Sequence, residues 1–193
     1  MDASADVGEM IRRARAGDGP AFESIYRSTV VPIYRYVAAR VDTRDLAEEV
    51  TQDVFFAAVK GIATFRGADE NALLGWLFQI ARHKIADVLR ERYRRPVRAL
   101  EDAAGLEDGA LGPEEVALAN GDRDEVRRAL ARLTDDQREV IVCKYILDYD
   151  NRRTAAIVGK DANAVNQLHH RALASLHRLL MRPRIEAPSA ERS

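Results

Sequence analysis

Apolar side chains recur every three or four residues through most of this 193-residue chain, rather than at every second residue. An early example is the run Ile25, Val30, Ile33, Tyr34, Val37 and Val41. Ala, Leu, Arg and Glu are abundant, and these residues favour helices. The chain is therefore predicted to be all-α.

The helical pattern is interrupted between residues 96 and 121, which include two prolines, four glycines and many acids. It resumes beyond this stretch and fades again near the C-terminus, where two more prolines occur. We predict two small helical domains joined by an acidic flexible linker: a domain at 1–95, the linker at 96–121, a second domain at 122–182 and a disordered tail at 183–193.

Charges are segregated along the chain, although the formal net charge is only -1. Residues 82–98 contain seven Lys or Arg and two acids, a local charge of +5. Residues 101–125 contain nine acids and one Arg, a local charge of -8. The total charge excludes a polycation, but it leaves room for local basic patches that attract nucleic acid.

An acidic helix is predicted from Asp45 to Lys60, because Leu46, Val50 and Val54 form one apolar face at four-residue spacing. Its other faces then expose Glu48, Glu49, Gln52, Asp53 and Phe56. Acids in the first turns of a helix often do no more than complement its dipole. An exposed Phe beside carboxylates instead favours a docking surface for a basic partner, and both interpretations stay open.

Aromatic and cationic residues come together after this helix, where Phe65, Arg66 and Trp76 precede the basic stretch. Single-stranded DNA binding needs cations along the phosphates and flat rings on which bases stack. On one helix, steps of three or four residues bring together Arg82, His83, Asp87, Arg90 and Arg94. The alternatives are a core position for Trp76 and a solvated helix end for the arginines.

The C-terminal segment has the punctuation of a helix-turn-helix. Thr134 and Asp150 are suited to begin helices, Gly159 to end the second, and Asp161 or Asn163 to begin a third. The start of that third helix enters the major groove in such units, where Asn and Gln pair with adenine edges. The candidate contacts are Arg152, Arg153, Asn163, Asn166, Gln167, His170 and Arg171. A plain antiparallel bundle is the alternative.

No candidate for catalysis stands out. His169, His170 and His177 share a segment that contains no Cys, Asp or Glu to complete a metal site. No nucleophile has a paired base, so we expect neither enzymatic activity nor a cofactor. The only cysteine, Cys143, excludes an intramolecular disulfide, and its apolar neighbours indicate a buried small hydrophobe.

The N-terminal residues are acidic and lack the apolar stretch of a secretory signal peptide. No other stretch is long and apolar enough to span a membrane. Together with the single cysteine, this predicts a protein of the cytoplasm that has no membrane partner.

Six short segments resemble the sigma-70 family of RNA polymerase sigma factors. Residues 45–55 resemble the acidic, Gln-containing helix of region 2, and residues 65–67, 75–82 and 84–87 are similar to the part of region 2 that melts the minus-ten element. Residues 133–140 resemble the start of region 4, and residues 171–172 the end of its recognition helix. The domain order is similar to that of the compact extracytoplasmic function group, also called group 4.

The resemblance implies a sigma factor whose partners are promoter DNA, core RNA polymerase through its beta-prime clamp and beta flap, and an anti-sigma protein. The clamp contacts implied are Asp45, Glu48, Glu49, Gln52 and Asp53. The contacts implied for the minus-ten single strand are Phe65, Arg66, Trp76, Arg82, His83, Lys84, Asp87, Arg90 and Arg94. The candidate contacts of the C-terminal segment would bind the minus-35 duplex.

Two other classes of protein stay open. A stand-alone helix-turn-helix regulator would bind duplex DNA without polymerase. A helical interaction protein that sequesters a partner would show no dependence on DNA.

Overall fold

The computed structural model describes residues 3–94, 125–126 and 128–181, with side chains from residues 6 to 92 in the first range. Its longer helices are α1 (Ala3–Arg15), α2 (Gly19–Ala38), α3 (Arg44–Gly61), α4 (Glu70–Arg94), α5 (Asp135–Ile141), α6 (Asn151–Val158) and α7 (Ala162–Leu180), and residues 128–131 are also helical. A 3₁₀ turn at Ile62–Thr64 follows α3, and a π-helical turn at Val142–Ile146 follows α5. No strand occurs in these residues, which confirms the all-α prediction. The predicted linker at 96–121 and tail at 183–193 lie outside them.

The N-terminal helices begin at side chains that accept hydrogen bonds from free backbone N–H groups. Asp18 accepts from the backbone N–H of Ala21 at 3.1 Å, and Thr43 accepts from that of Leu46 at 3.3 Å. Gly17 has a φ of +88°, which lets the chain reverse between α1 and α2. Both helix breaks therefore lie at turn-forming residues, within 16–18 and 39–43.

The C-terminal helices follow the predicted punctuation. Thr134 forms a capping box with Gln137 at the start of α5, and the Asp150 carboxylate accepts from the Arg153 N–H at 2.7 Å. Gly159 ends α6 with a φ of +69°, the left-handed region that glycine adopts without strain. Asp161, rather than Asn163, caps α7. These contacts confirm the three-helix arrangement.

The helices α1 to α4 surround an apolar core. Val50 and Val54 are buried and Leu46 packs against the core at its edge, so the apolar face predicted for α3 is confirmed. Two smaller clusters bring together α5, α6, α7 and residues 130–133; they comprise Leu130, Leu133, Ile141 and Ala172, and Val140, Val158 and Val165.

The two helical units pack directly against each other, a contact that was not predicted from the sequence. Val142, Cys143, Leu147 and Ile157 belong to the same buried cluster as the core of α1 to α4. Helix α6 lies on α4 so closely that a Cβ atom at Gly75 would stand 2.8 Å from the carbonyl oxygen of Ala156. Glycine at this position therefore permits the approach of the two backbones.

Within the described ranges, every helix is too short or too polar to cross a lipid bilayer.

Candidate protein and nucleic-acid interfaces

The acidic face of α3 consists of five exposed side chains: Asp45, Glu48, Glu49, Gln52 and Asp53. Arg44 donates to Glu48 at 2.9 Å, a hydrogen bond that raises the pKa of this arginine. Phe56 is 60% exposed, and the Lys60 ammonium lies 3.9 Å from the centre of its ring. The predicted exposure is thus confirmed, and the face combines negative charge with an accessible aromatic ring.

The cationic face consists of the residues assigned above to the minus-ten strand, from Phe65 to Arg94. Lys84 donates to Asp53 at 3.3 Å, so the cationic face begins where the acidic face ends. Arg90 is paired with Asp87, three residues before it on α4. Arg66 and His83 are exposed, and Arg94 is the last residue of α4.

The aromatic part of the cationic face is a stacked pair. The rings of Phe65 and Trp76 lie 4.8 Å apart at an angle of 27°. Phe65 is only 8% exposed, and a Cβ atom at Gly67 would stand 2.2 Å from its ring, so glycine leaves the space that Phe65 fills. Trp76 is half-buried and rests on the core. Phe65 therefore supports Trp76 from below, and a direct contact between Phe65 and DNA stays a prediction.

A groove of about 660 Å³ opens beside this pair, between the two helical units. One wall contains Arg66, Trp76 and Arg82, and the other contains Ala156 and Gly159. The candidate DNA-holding surface is therefore partly covered by α6 and by the turn that follows it.

Arg82 is engaged across the contact between the units. Its guanidinium donates to the carbonyl oxygen of Ile157 at 3.1 Å and to a carboxylate oxygen of Glu139 at 3.4 Å. Arg82 is thus a cation of the cationic face that already has partners in α5 and α6.

Glu139 is the centre of a buried polar cluster. It is 2% exposed, accepts from the Tyr36 hydroxyl at 2.9 Å, and lies 3.5 Å from the guanidinium of Arg40. Burial raises the pKa of Tyr36 well above its usual range, and the Glu139 carboxylate adds to this rise. This cluster was not predicted from the sequence, where its only signal is an acid directly before the apolar run at 140–143.

The third candidate surface, which we call the reading face, contains the residues assigned above to the minus-35 duplex. Arg152, Asn163, Gln167, His170 and Arg171 are exposed. Asn166 is also exposed, and its Oδ1 accepts from Asn151 at 2.8 Å. Arg153 differs from the others, because it is paired with Glu70 of α4 at 2.7 Å.

Cys143 is fully buried, and burial raises the pKa of its thiol to about 12. The interpretation of this residue as a small buried hydrophobe is therefore confirmed. In the part of the chain that the structure describes, no three His, Cys, Asp or Glu side chains are grouped to hold a metal ion.

Two family models match the chain: "Sigma-70 region 2" over residues 25–95 and "Sigma-70, region 4" over residues 123–176. The ECF RNA polymerase sigma factor BldN of Streptomyces coelicolor is 33% identical over 182 residues, covering 92% of this chain and 67% of BldN.

Solved structures share the fold. CnrH in complex with the cytosolic domain of CnrY has a TM-score of 0.66 at 24% identity, covering 90% of this chain and 96% of that one. The sigma factor RpoE of Bartonella quintana, in complex with the anti-sigma factor NepR, has a TM-score of 0.57 at 21% identity, covering 84% and 98%. The region 2 match leaves a stand-alone helix-turn-helix regulator without support. The chain belongs to the sigma-70 family, as a sigma factor of the extracytoplasmic function group that directs promoter-specific transcription initiation.

Proposed function

We propose that the three surfaces divide the work of promoter recognition among them. The acidic face binds the clamp of core polymerase, the cationic face holds the melted minus-ten strand, and the reading face binds the minus-35 duplex. The corresponding domains are 1–95 and 122–182, with the acidic linker at 96–121 between them.

The observation that carries this proposal is the arrangement of α3. Its apolar side is buried against the core, while all five residues of the acidic face reach solvent. A set of carboxylates beside the exposed ring of Phe56 suits a basic protein surface, because charge complementarity steers the encounter and the ring adds apolar contact.

The chemistry of the cationic face supports the second assignment. Unstacking a base costs a few kcal/mol, and stacking on an aromatic side chain returns about 1 to 3 kcal/mol per base. Trp76 is held on one side by Phe65 and borders the groove, which makes it the stacking platform of this surface. Promoter opening then needs no covalent step by the sigma subunit, in keeping with a protein that is not an enzyme.

DNA binding requires the two helical units to separate. The elements at minus 10 and minus 35 lie about 25 base pairs apart, or about 85 Å along the duplex at about 3.4 Å per pair. Helix α6 lies directly on α4, and Arg82 is bonded to Glu139 and Ile157. The described arrangement is therefore a closed one, which cannot contact both elements at once.

The proposal includes two further partners and a compartment. RpoE of Bartonella quintana was solved with an anti-sigma factor, and we assign an anti-sigma protein to this chain as well. The beta flap of the polymerase is the partner assigned to the C-terminal domain. All of these contacts are made in the cytoplasm.

The test is transcription in vitro by core polymerase of the source organism, on fragmented genomic DNA, with sequencing of the RNA 5′ ends. The full chain is expected to give initiation at a defined set of sites that share minus-10 and minus-35 sequences. Charge reversal at Glu49 and Asp53 together is expected to reduce association with core polymerase by more than tenfold, since positive charges then face a basic surface of the clamp and repel it.

The matched control is Glu23→Lys, a reversal at another exposed acid, on α2. It is expected to leave polymerase binding within about twofold of the parent chain. Equal losses in both variants would contradict the assignment of the acidic face. Tight duplex binding without any promoter-specific initiation would contradict the proposed function as a whole.

A further inference from the structure

Three side chains form a relay behind the reading face. The Lys144 ammonium, in the π-helical turn, donates to Oδ1 of Asn151 at 3.0 Å. The Asn151 Nδ2 in turn donates to Oδ1 of Asn166 at 2.8 Å. The relay runs from the turn after α5, through the first residue of α6, to the exposed surface of α7.

The chemistry of the first member fixes the orientation of the other two. A lysine ammonium has three donors and no acceptor, so only the oxygen of the Asn151 amide can face it. The Nδ2 of Asn151 then points to Asn166 and requires an acceptor there. The two ends of an Asn amide are easily exchanged in a structure, and here the donor-only lysine decides between them.

We infer that Asn166 reads the minus-35 duplex as a hydrogen-bond donor only, and therefore favours guanine over adenine at the base it faces. This inference rests on the proposed function, in which α7 enters the major groove. Its Oδ1 is turned toward Asn151, so the Nδ2 group is the end presented to DNA.

The base preference follows from the edges in the major groove. A paired contact with adenine needs the Asn oxygen to accept from N6 while its nitrogen donates to N7. Guanine presents two acceptors, N7 and O6, side by side, and cytosine presents a donor. An amide that offers only Nδ2 therefore suits guanine, gains less from adenine and meets an unfavourable donor at cytosine.

Gln167 provides a contrast on the same helix. Its side chain is exposed, and within the described part of the chain its amide makes no hydrogen bond. Gln167 is therefore free to turn either end toward DNA and to form the paired contact with adenine. The general expectation that Asn and Gln read adenine alike is replaced, at Asn166, by a donor with a fixed direction.

The test uses polymerase holoenzyme, assembled with the full chain, to select promoters from a library in which the minus-35 region is randomised. Asn166→Ala identifies the position that depends on this residue, because discrimination is lost there and retained elsewhere. The parent chain is expected to prefer guanine over adenine at that position by about tenfold, the discrimination typical of one good base contact.

Asn151→Asp reverses the direction of the hydrogen bond between residue 151 and Asn166 and retains the contact with Lys144. A carboxylate only accepts, so the Nδ2 of Asn166 would turn inward to it and Oδ1 would face the DNA. The preference at that position is then expected to change from guanine to the donor-bearing bases, adenine and cytosine. Lys144→Met, which removes the fixed donor, is expected to bring guanine and adenine to within about twofold of each other.

Both variants lower the net charge of the C-terminal domain by one unit, Asn151→Asp by adding a negative charge and Lys144→Met by removing a positive one. The matched control is Lys160→Met, which makes the same change at a lysine that pairs with Asp136 instead. It is expected to weaken selection of all sequences alike, since phosphate attraction carries no sequence information.

The possible outcomes distinguish the relay at Asn166 from the proposed binding of the minus-35 duplex. Preference for adenine or cytosine by the parent chain at the Asn166 position, or an unchanged preference in Asn151→Asp, overturns the relay and leaves duplex reading intact. The same holds if no position depends on Asn166. Failure of the parent holoenzyme to select any minus-35 sequence overturns the proposed duplex reading and this inference with it.

Discussion

The acidic face of α3 and the cationic face of α4 belong to one helical unit, yet they differ in accessibility. The carboxylates of α3 are all exposed, and the two that are paired contact Arg44 and Lys84 of the same unit. The cationic face is partly covered by α6, and Arg82 is bonded to Glu139 and Ile157. In the closed arrangement the acidic face is open to a partner, whereas the cationic face is only partly accessible.

This difference indicates an order of events. On the proposed assignment of the surfaces, polymerase binds the acidic face before the units separate, and the cationic face becomes fully available to a DNA strand afterwards. The contact between the units contains a buried charge cluster and an apolar cluster, so its strength decides how often the open arrangement is populated. The following predictions test that contact, in order of decreasing effect.

The largest effect is expected on the reactivity of Cys143, the only thiol in the chain. It lies in the apolar cluster that both units share, and its pKa rises from 9.0 to about 12. Below pH 9 the thiolate fraction is therefore about a thousandfold lower than in the unfolded chain. Labelling by a thiol reagent at pH 8 is expected to be slower by at least this factor than in denaturant.

Labelling of the folded chain then proceeds through the open arrangement, and its rate reports the population of that state. Since the buried thiol is favoured in its protonated form, the closed arrangement also loses stability as pH rises from 9 through 12. Rapid labelling of the native chain at pH 8 would show that Cys143 is accessible, and that the comparison between the two faces fails.

The second effect is expected for Glu139→Gln. This change removes the negative charge that faces Arg40, whose side chain is 7% exposed, and leaves the arginine buried with its charge uncompensated. The closed arrangement is expected to weaken by about 3 kcal/mol, which raises the Cys143 labelling rate about a hundredfold. Glu23→Gln, at an exposed pair with Arg27 inside α2, is the control and should change the rate less than twofold.

Local features of the fold were predictable from the sequence, whereas the buried cluster around Glu139 was not. Helix starts at Asp18, Thr43, Thr134 and Asp150 were predictable, because each cap is a local hydrogen bond between a side chain and the next turn. The exposed acids of α3 followed equally from its apolar periodicity.

The contact between the units was not predictable in the same way. Tyr36 and Glu139 are separated by 103 residues, and their hydrogen bond depends on how two separately formed units dock. The closure of α6 over Arg82 likewise depends on Gly75, whose lack of a side chain carries no signal in a periodicity analysis. The acidic and cationic faces were therefore predictable from the sequence, but the covering of the cationic face by α6 was not.

The third effect is expected for Gly75→Ala, which should stabilise helix α4 itself but destabilise its contact with α6. Alanine favours an α-helix by about 1 kcal/mol over glycine, so α4 alone should gain stability. The added Cβ would stand 2.8 Å from the Ala156 carbonyl oxygen, so α6 must move away, at a typical overpacking cost of about 1 to 3 kcal/mol. Faster labelling of Cys143, by about tenfold, is expected without a lower temperature of unfolding.

Gly19→Ala is the matched control, because a Cβ atom there meets no atom within 4 Å. It should leave the labelling rate unchanged. If Gly75→Ala behaved like this control, α6 would not rest on α4 in solution, and the cationic face would be as accessible as the acidic one.

The smallest effect is expected for the ion pair between Arg153 and Glu70, the peripheral link between the units. Their side chains are 37% and 48% exposed, so water and salt screen an attraction that acts over 2.7 Å. A double-mutant cycle with Arg153→Ala and Glu70→Ala, measured by Cys143 labelling without DNA, should give a coupling of about 0.2 to 1 kcal/mol that is largely lost in 0.5 M salt. A coupling energy as large as the loss expected for Glu139→Gln would mean that surface charge, rather than the buried cluster, keeps the cationic face covered. The closed arrangement would then open simply with ionic strength, and the order of events inferred from the two faces would depend on salt rather than on polymerase.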